Sequence, residues 1–90
     1  MIEREATIVN QEGLHARPAA QIVRLACSFA ADIELGKDGL DVNGKSIMGV
    51  MMLAAEYGSS ITIRANGPDA EQAVQALANL VATGFGETVV

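Results

Sequence analysis

The chain has no tryptophan, one tyrosine and two phenylalanines among its 90 residues. Sheet-based RNA recognition stacks bases on aromatic side chains, and this sequence hardly supplies any. Cations are also scarce. Six Lys and Arg stand against eleven Asp and Glu, a formal net charge of −5. Non-specific nucleic-acid binding needs clustered Lys and Arg to displace counterions, so no nucleic-acid partner is expected. Long apolar runs are missing. The longest, Ile47 to Ala55, is far too short to span a bilayer, so no membrane insertion is expected. Glu3, Arg4 and Glu5 do not read as a signal peptide. Cys27 is the only cysteine and can form no internal disulfide. One histidine and one cysteine make no metal-ligand set. The expectation is a cytosolic protein with no cofactor and no metal.

What is present is aliphatic. Half the residues are hydrophobic, mostly Ala, Val, Ile, Leu and Met. Such side chains suit tight helix-on-sheet packing, and 90 residues suit one domain spanning 1–90. Residues 2–9 alternate imperfectly and read as a strand with one wet face. Residues 16–30 read as a helix, with Ala19, Ile22, Val23, Ala26 and Ala30 on one face. Arg17, Gln21, Arg24 and Ser28 form the opposite polar stripe. Residues 31–35 alternate again. Gly36 to Gly39 reads as a hairpin loop, and Leu40 to Asn43 as the returning strand. Ser46 is a favoured N-cap for a short helix over 47–53. Residues 60–66 give the clearest alternation in the chain. Asp69 and Gln72 have capping-box spacing ahead of a helix whose apolar positions run from Ala70 to Val81. Gly84 stands where a helix-terminating glycine belongs. The order is βαββαβα. It implies an α+β open-faced β-sandwich, a four-stranded antiparallel sheet covered on one face by three helices.

Chemistry concentrates at Gly13-Leu14-His15-Ala16-Arg17-Pro18-Ala19, which holds the only histidine. A lone histidine at a helix edge ordinarily carries no function. Here its neighbours argue otherwise. The start of a helix offers unpaired N–H groups and the positive end of its dipole. Pro18 is tolerated in a first turn and stiffens it. Arg17 can hold two oxygens in a fork. A phosphoryl group is the anion best matched to such a site, with His15 as its own nucleophile. The short helix is the second feature. It is apolar all round, so one side must stay exposed. Val50 and Leu53 share the inward face; Ile47, Met48 and Met51 share another. Thioether side chains adapt to several partners, though a core helix with apolar edges is an alternative reading.

The residues from Gly13 to Ala19, together with Lys45-Ser46-Ile47-Met48-Gly49-Val50-Met51, resemble the HPr family. These are the histidine-containing phosphocarriers of the bacterial phosphoenolpyruvate-dependent sugar phosphotransferase system. The likeness runs over the whole chain, in two separate motifs. It implies that His15 accepts phosphate on Nδ1 from phosphorylated enzyme I and passes it to enzyme IIA domains. Arg17 would steady the phosphoryl oxygens. Ser46 would be phosphorylated by an HPr kinase/phosphorylase, although spacing alone makes it only an N-cap. Ala20, Arg24, Ile47, Met48 and Met51 would meet the partner proteins. The protein would be a monomeric, stoichiometric carrier and no turnover enzyme. Three other readings stay open. One is a purely regulatory module acting through phosphorylated Ser46, one the carrier of the nitrogen-related phosphotransferase branch, and one a plain interaction domain.

Overall fold

The computed structural model describes residues 1–89. Four strands, β1 (Ile2–Thr7), β2 (Asp32–Lys37), β3 (Leu40–Asn43) and β4 (Ser60–Asn66), form one sheet. Three α-helices accompany it: α1 (Ala16–Ala26), α2 (Ile47–Met52) and α3 (Ala70–Ala82). A 3₁₀ turn over Gly84–Gly86 follows α3. The strand order is β1-β4-β2-β3, and every neighbouring pair is antiparallel. This is the α+β open-faced sandwich that the alternation and helix periods imply.

The strand period of two decides which face is dry. In β4, Ile61, Ile63 and Ala65 are buried against the helices. Ile63 lies opposite Leu35 and Ala65 opposite Ile33, so the buried positions of β2 fall on the same side. Val50 from α2 and Leu53 just past it close the core, while Ala73, Val74, Leu77 and Val81 do so from α3. The opposite face of the sheet is polar. There Arg64 donates from Nε to Glu3 and from Nη1 to Asp41, both at 2.7 Å. The second bond crosses β2 at Gly36, where any Cβ would lie 2.5 Å from the Asp41 carboxylate.

Several boundaries and one cap differ from the sequence reading. Gly36 and Lys37 belong to β2 and not to the hairpin loop. The turn is Asp38-Gly39 alone, with positive φ at both residues. That is the two-residue turn whose twist matches its flanking strands. The first strand ends at Thr7, since Ile8 pairs instead with the turn before β4, its N–H donating to the Ser59 carbonyl at 2.8 Å. Helix α1 stops at Ala26 and not at Ala30. Its tail tightens into bonds from Ser28 to Leu25 and from Phe29 to Ala26. Beyond them, the Ala30 and Ala31 N–H groups both donate to the Asp69 carboxylate at 2.8 Å. The capping box between Asp69 and Gln72 therefore does not form, because the Asp69 oxygens are committed across the chain. Those two bonds hold the Asp69 carboxyl below its ordinary range, the Ala30 contact most strongly.

Candidate functional site

The loop from Asn10 to His15 sets the site. The Gly13 N–H bonds back to the Asn10 carbonyl, and the Leu14 N–H donates to the Ala55 carbonyl at 2.9 Å. Leu14 is buried, which pins the loop to the core. Ala55 lies just beyond α2, so this bond seats the start of α1 beside the end of α2. His15 then takes extended backbone angles as the N-cap residue of α1. Its carbonyl accepts from the Ala19 N–H at 3.0 Å. The Ala16 and Arg17 amides open the helix, where no preceding turn offers a carbonyl. Pro18 occupies the next place, is buried and forfeits no bond.

The His15 ring makes no capping bond. It turns instead to Glu87, 72 positions along the chain. Nε2 stands 2.9 Å from Oε2 and 3.1 Å from Oε1 of that carboxylate. The imidazole remains 40% exposed and the carboxylate 16%. The His15 bond is the main reason that Glu87 sits below the usual carboxylate range, with help from Asn10 and the nearby charge of Arg17. Glu87 thus takes one ring nitrogen and leaves Nδ1 outside the pair. The arrangement combines an exposed imidazole, a guanidinium and open helix amides in one place. It can receive a compact anion on a nitrogen nucleophile.

Sequence reasoning missed Glu87. No period or spacing links residue 87 to residue 15; the chain brings them together through the turn after α3.

The remaining candidates lie on or beside α1 and α2. Arg17 and Arg24 are exposed on α1, and Ala20 between them is half-buried. On α2, Val50 is fully buried and Leu53, just past the helix, nearly so. Ile47, Met48 and Met51 are exposed at 44%, 75% and 41%. Met52 also faces outward, a position the sequence left unassigned. Ser46 caps α2 as expected: its hydroxyl accepts from the Gly49 N–H at 3.1 Å. Beside it, the Lys45 ammonium donates to the Phe29 carbonyl at 2.8 Å. Among the described residues, no three His, Cys, Asp or Glu side chains group as metal ligands. No helix among them is long and apolar enough to cross a membrane.

Comparison with known proteins is consistent over nearly the whole chain. Residues 2–83 match the family model described as the phosphotransferase-system HPr component phosphorylation site. A phosphocarrier protein HPr of Cupriavidus necator is 47% identical over 87 residues, covering 97% of this chain and 98% of that protein. The HPr-like protein Crh of Bacillus subtilis is 43% identical over 81 residues, covering 90% of this chain and 95% of the other. A crystal structure of HPr from Thermoanaerobacter tengcongensis superposes with a TM-score of 0.94 at 44% identity, covering 99% of this chain and 100% of that one.

Proposed function

The chain belongs to the HPr family, the phosphocarrier proteins of the phosphotransferase system, and on that premise we propose that His15 is its phosphoryl acceptor. Nδ1 takes the group from phosphorylated enzyme I. It then yields it to a sugar-specific enzyme IIA domain. The observation that carries this reading is the placement of His15. It is the only imidazole in the chain, half-exposed at the N-cap of α1, with Arg17 in the following turn.

The chemistry needs positioning and charge stabilisation and little else. The Nδ1 lone pair attacks phosphorus while the bond to the donor atom breaks, and that electron pair returns to the donor. Open helix amides and Arg17 steady the phosphoryl oxygens as charge moves among them. Both reaction partners are protein side chains, so the site is shallow and exposed. The apolar surface of Ile47, Met48 and Met51, with Ala20 and Arg24 beside it on α1, forms the docking face for enzyme I and enzyme IIA. The protein acts in the cytoplasm as a monomeric carrier within one domain over residues 1–90.

Ser46 gives a second, compatible role. The resemblance of residues 45–51 to the regulatory-serine motif of the family and the position of the Ser46 hydroxyl at the head of α2 both support phosphorylation by an HPr kinase/phosphorylase. A phosphate there adds charge at the edge of the docking face, and a helix N-terminus tolerates it.

Incubation with phosphoenolpyruvate and enzyme I, followed by mass measurement before and after acid, tests the first role. One acid-labile phosphate is expected. An acid-stable phosphate, or none, refutes it.

A further inference from the structure

Beyond α3 the chain folds back on the active loop, and several independent contacts hold it there. The Gln21 amide donates to the Phe85 carbonyl at 3.2 Å, and the Gln11 N–H to the Thr88 carbonyl at 3.0 Å. Asn10 and Val89 form an antiparallel bridge. Phe85 is 4% exposed and adopts a left-handed backbone, φ 59° and ψ 21°. An aromatic residue takes that conformation only where its surroundings impose it.

This segment delivers one polar side chain to the site, Glu87. Asn10 holds it in place. Asn10 is fully buried, and its amide donates to the Gly13 carbonyl at 2.8 Å and to Glu87 Oε1 at 3.1 Å. The opposite amide orientation would set its oxygen against a carbonyl and a carboxylate. The observed orientation leaves Asn10 Oδ1 buried and, among the described residues, without a hydrogen-bond partner. Both amide hydrogens are committed to this geometry.

We infer that Glu87 is a positioning residue for phosphoryl transfer, holding the His15 ring through Nε2–H so that the lone pair lies on Nδ1. The inference rests on the reading that His15 is the acceptor. Its chemistry balances simply. A neutral ring that keeps its proton on Nε2 forms the new N–P bond with the Nδ1 pair. The donor recovers the pair of its broken bond, and no proton leaves. The ring becomes positively charged. The Glu87 carboxylate, already bonded to that Nε2–H, faces the new charge. The carboxylate therefore fixes the tautomer before transfer and steadies the imidazolium after it.

The test is Glu87→Ala and Glu87→Gln in the full chain, with two readouts. The ring ¹⁵N shifts of His15, titrated to its neutral form, report the tautomer. The rate of phosphate uptake from phosphoenolpyruvate and enzyme I reports transfer. Wild type should hold the proton on Nε2. Glu87→Ala should lose that bias and transfer roughly 10–100-fold more slowly, the range for one hydrogen bond to a charged group. Glu87→Gln, which keeps an accepting oxygen but no charge, should retain part of the bias. Backbone amide spectra away from residues 10–15 and 84–89 should be unchanged. An unaltered tautomer in Glu87→Ala overturns the inference, whatever the rate. So does an unaltered rate with a changed tautomer. Failure of wild type itself to take phosphate on His15 would instead overturn the acceptor reading, while the tautomer shift would still report the hold of Glu87 on the ring.

Discussion

A Cβ on Gly13 would lie 2.5 Å from the Ala55 carbonyl oxygen, so the loop before His15 rests directly on the backbone that follows α2. Gly13 also has a φ of +70°. The two facts make this glycine the hinge between the candidate nucleophile and the candidate docking helix. Gly13→Ala should cost about 1–2 kcal/mol from the left-handed backbone alone, with more from displacing Ala55. Urea unfolding checks the stability. Phosphate uptake should slow as well, because the start of α1 moves with the loop.

Arg17 is expected to act on transfer more than on docking. Arg17→Ala should slow phosphate uptake while enzyme I affinity changes little. Lysine should restore only part of the rate, since a point charge cannot offer two parallel donors. Single-turnover rates for the three proteins, set beside calorimetric affinities, decide it. Equal rates would remove Arg17 from the mechanism.

Helix α2 should divide cleanly between fold and recognition. Val50 has no exposed surface, whereas Met48 is 75% exposed. Val50→Ala should cost about 2 kcal/mol, from two lost methyl groups and the space they leave. Met48→Asp should stay within about 0.5 kcal/mol of wild type in stability and weaken enzyme I binding. Met51→Asp should behave like Met48→Asp. A large fall in melting temperature with unchanged affinity would place these methionines in the core's service.

At Ser46, cap and charge can be separated. Ser46→Ala removes the acceptor for the Gly49 N–H and should cost about 1 kcal/mol. Ser46→Asp keeps an acceptor and adds a charge that the helix N-terminus favours, so melting temperature should hold or rise. The same variant should bind enzyme I more weakly at low salt. The difference should fade as salt rises, since exposed charges are screened beyond about 10 Å at 0.1 M.

Asp69 ties α3 to the segment between α1 and β2. Asp69→Asn replaces one accepting oxygen with a donor and should lower the melting temperature by several degrees. The sign with pH follows from its lowered folded value. The contribution is fully present above the ordinary carboxyl value of 3.8 and is lost as pH falls through the lower folded one. The stability gap between wild type and Asp69→Asn should therefore close in strong acid. Thermal melts across that range measure it.

The legible parts of this chain are those fixed by short-range patterns. β4 matches its alternation residue for residue, and α3 follows its apolar period from Ala70 to Val81. The placement of His15 at a helix start and of Ser46 as a cap was also readable, because both depend on the next three or four residues. What escaped depends on distant partners. Asp69 reads as a local capping residue until the Ala30 and Ala31 amides claim it. Gly36 reads as loop until Arg64 and Asp41 meet across it. Glu87 carries no local signal at all. Its role is defined only once the turn at Phe85 has folded it back onto His15 and Asn10.

The most direct test of the account is phosphate uptake by wild type and His15→Ala side by side. Each is incubated with phosphoenolpyruvate and enzyme I and weighed intact, before and after acid. Wild type should gain one phosphate that acid removes, and the variant should gain none while keeping its native melt. Acid-labile phosphate on the folded variant would contradict the assignment of His15 as the acceptor.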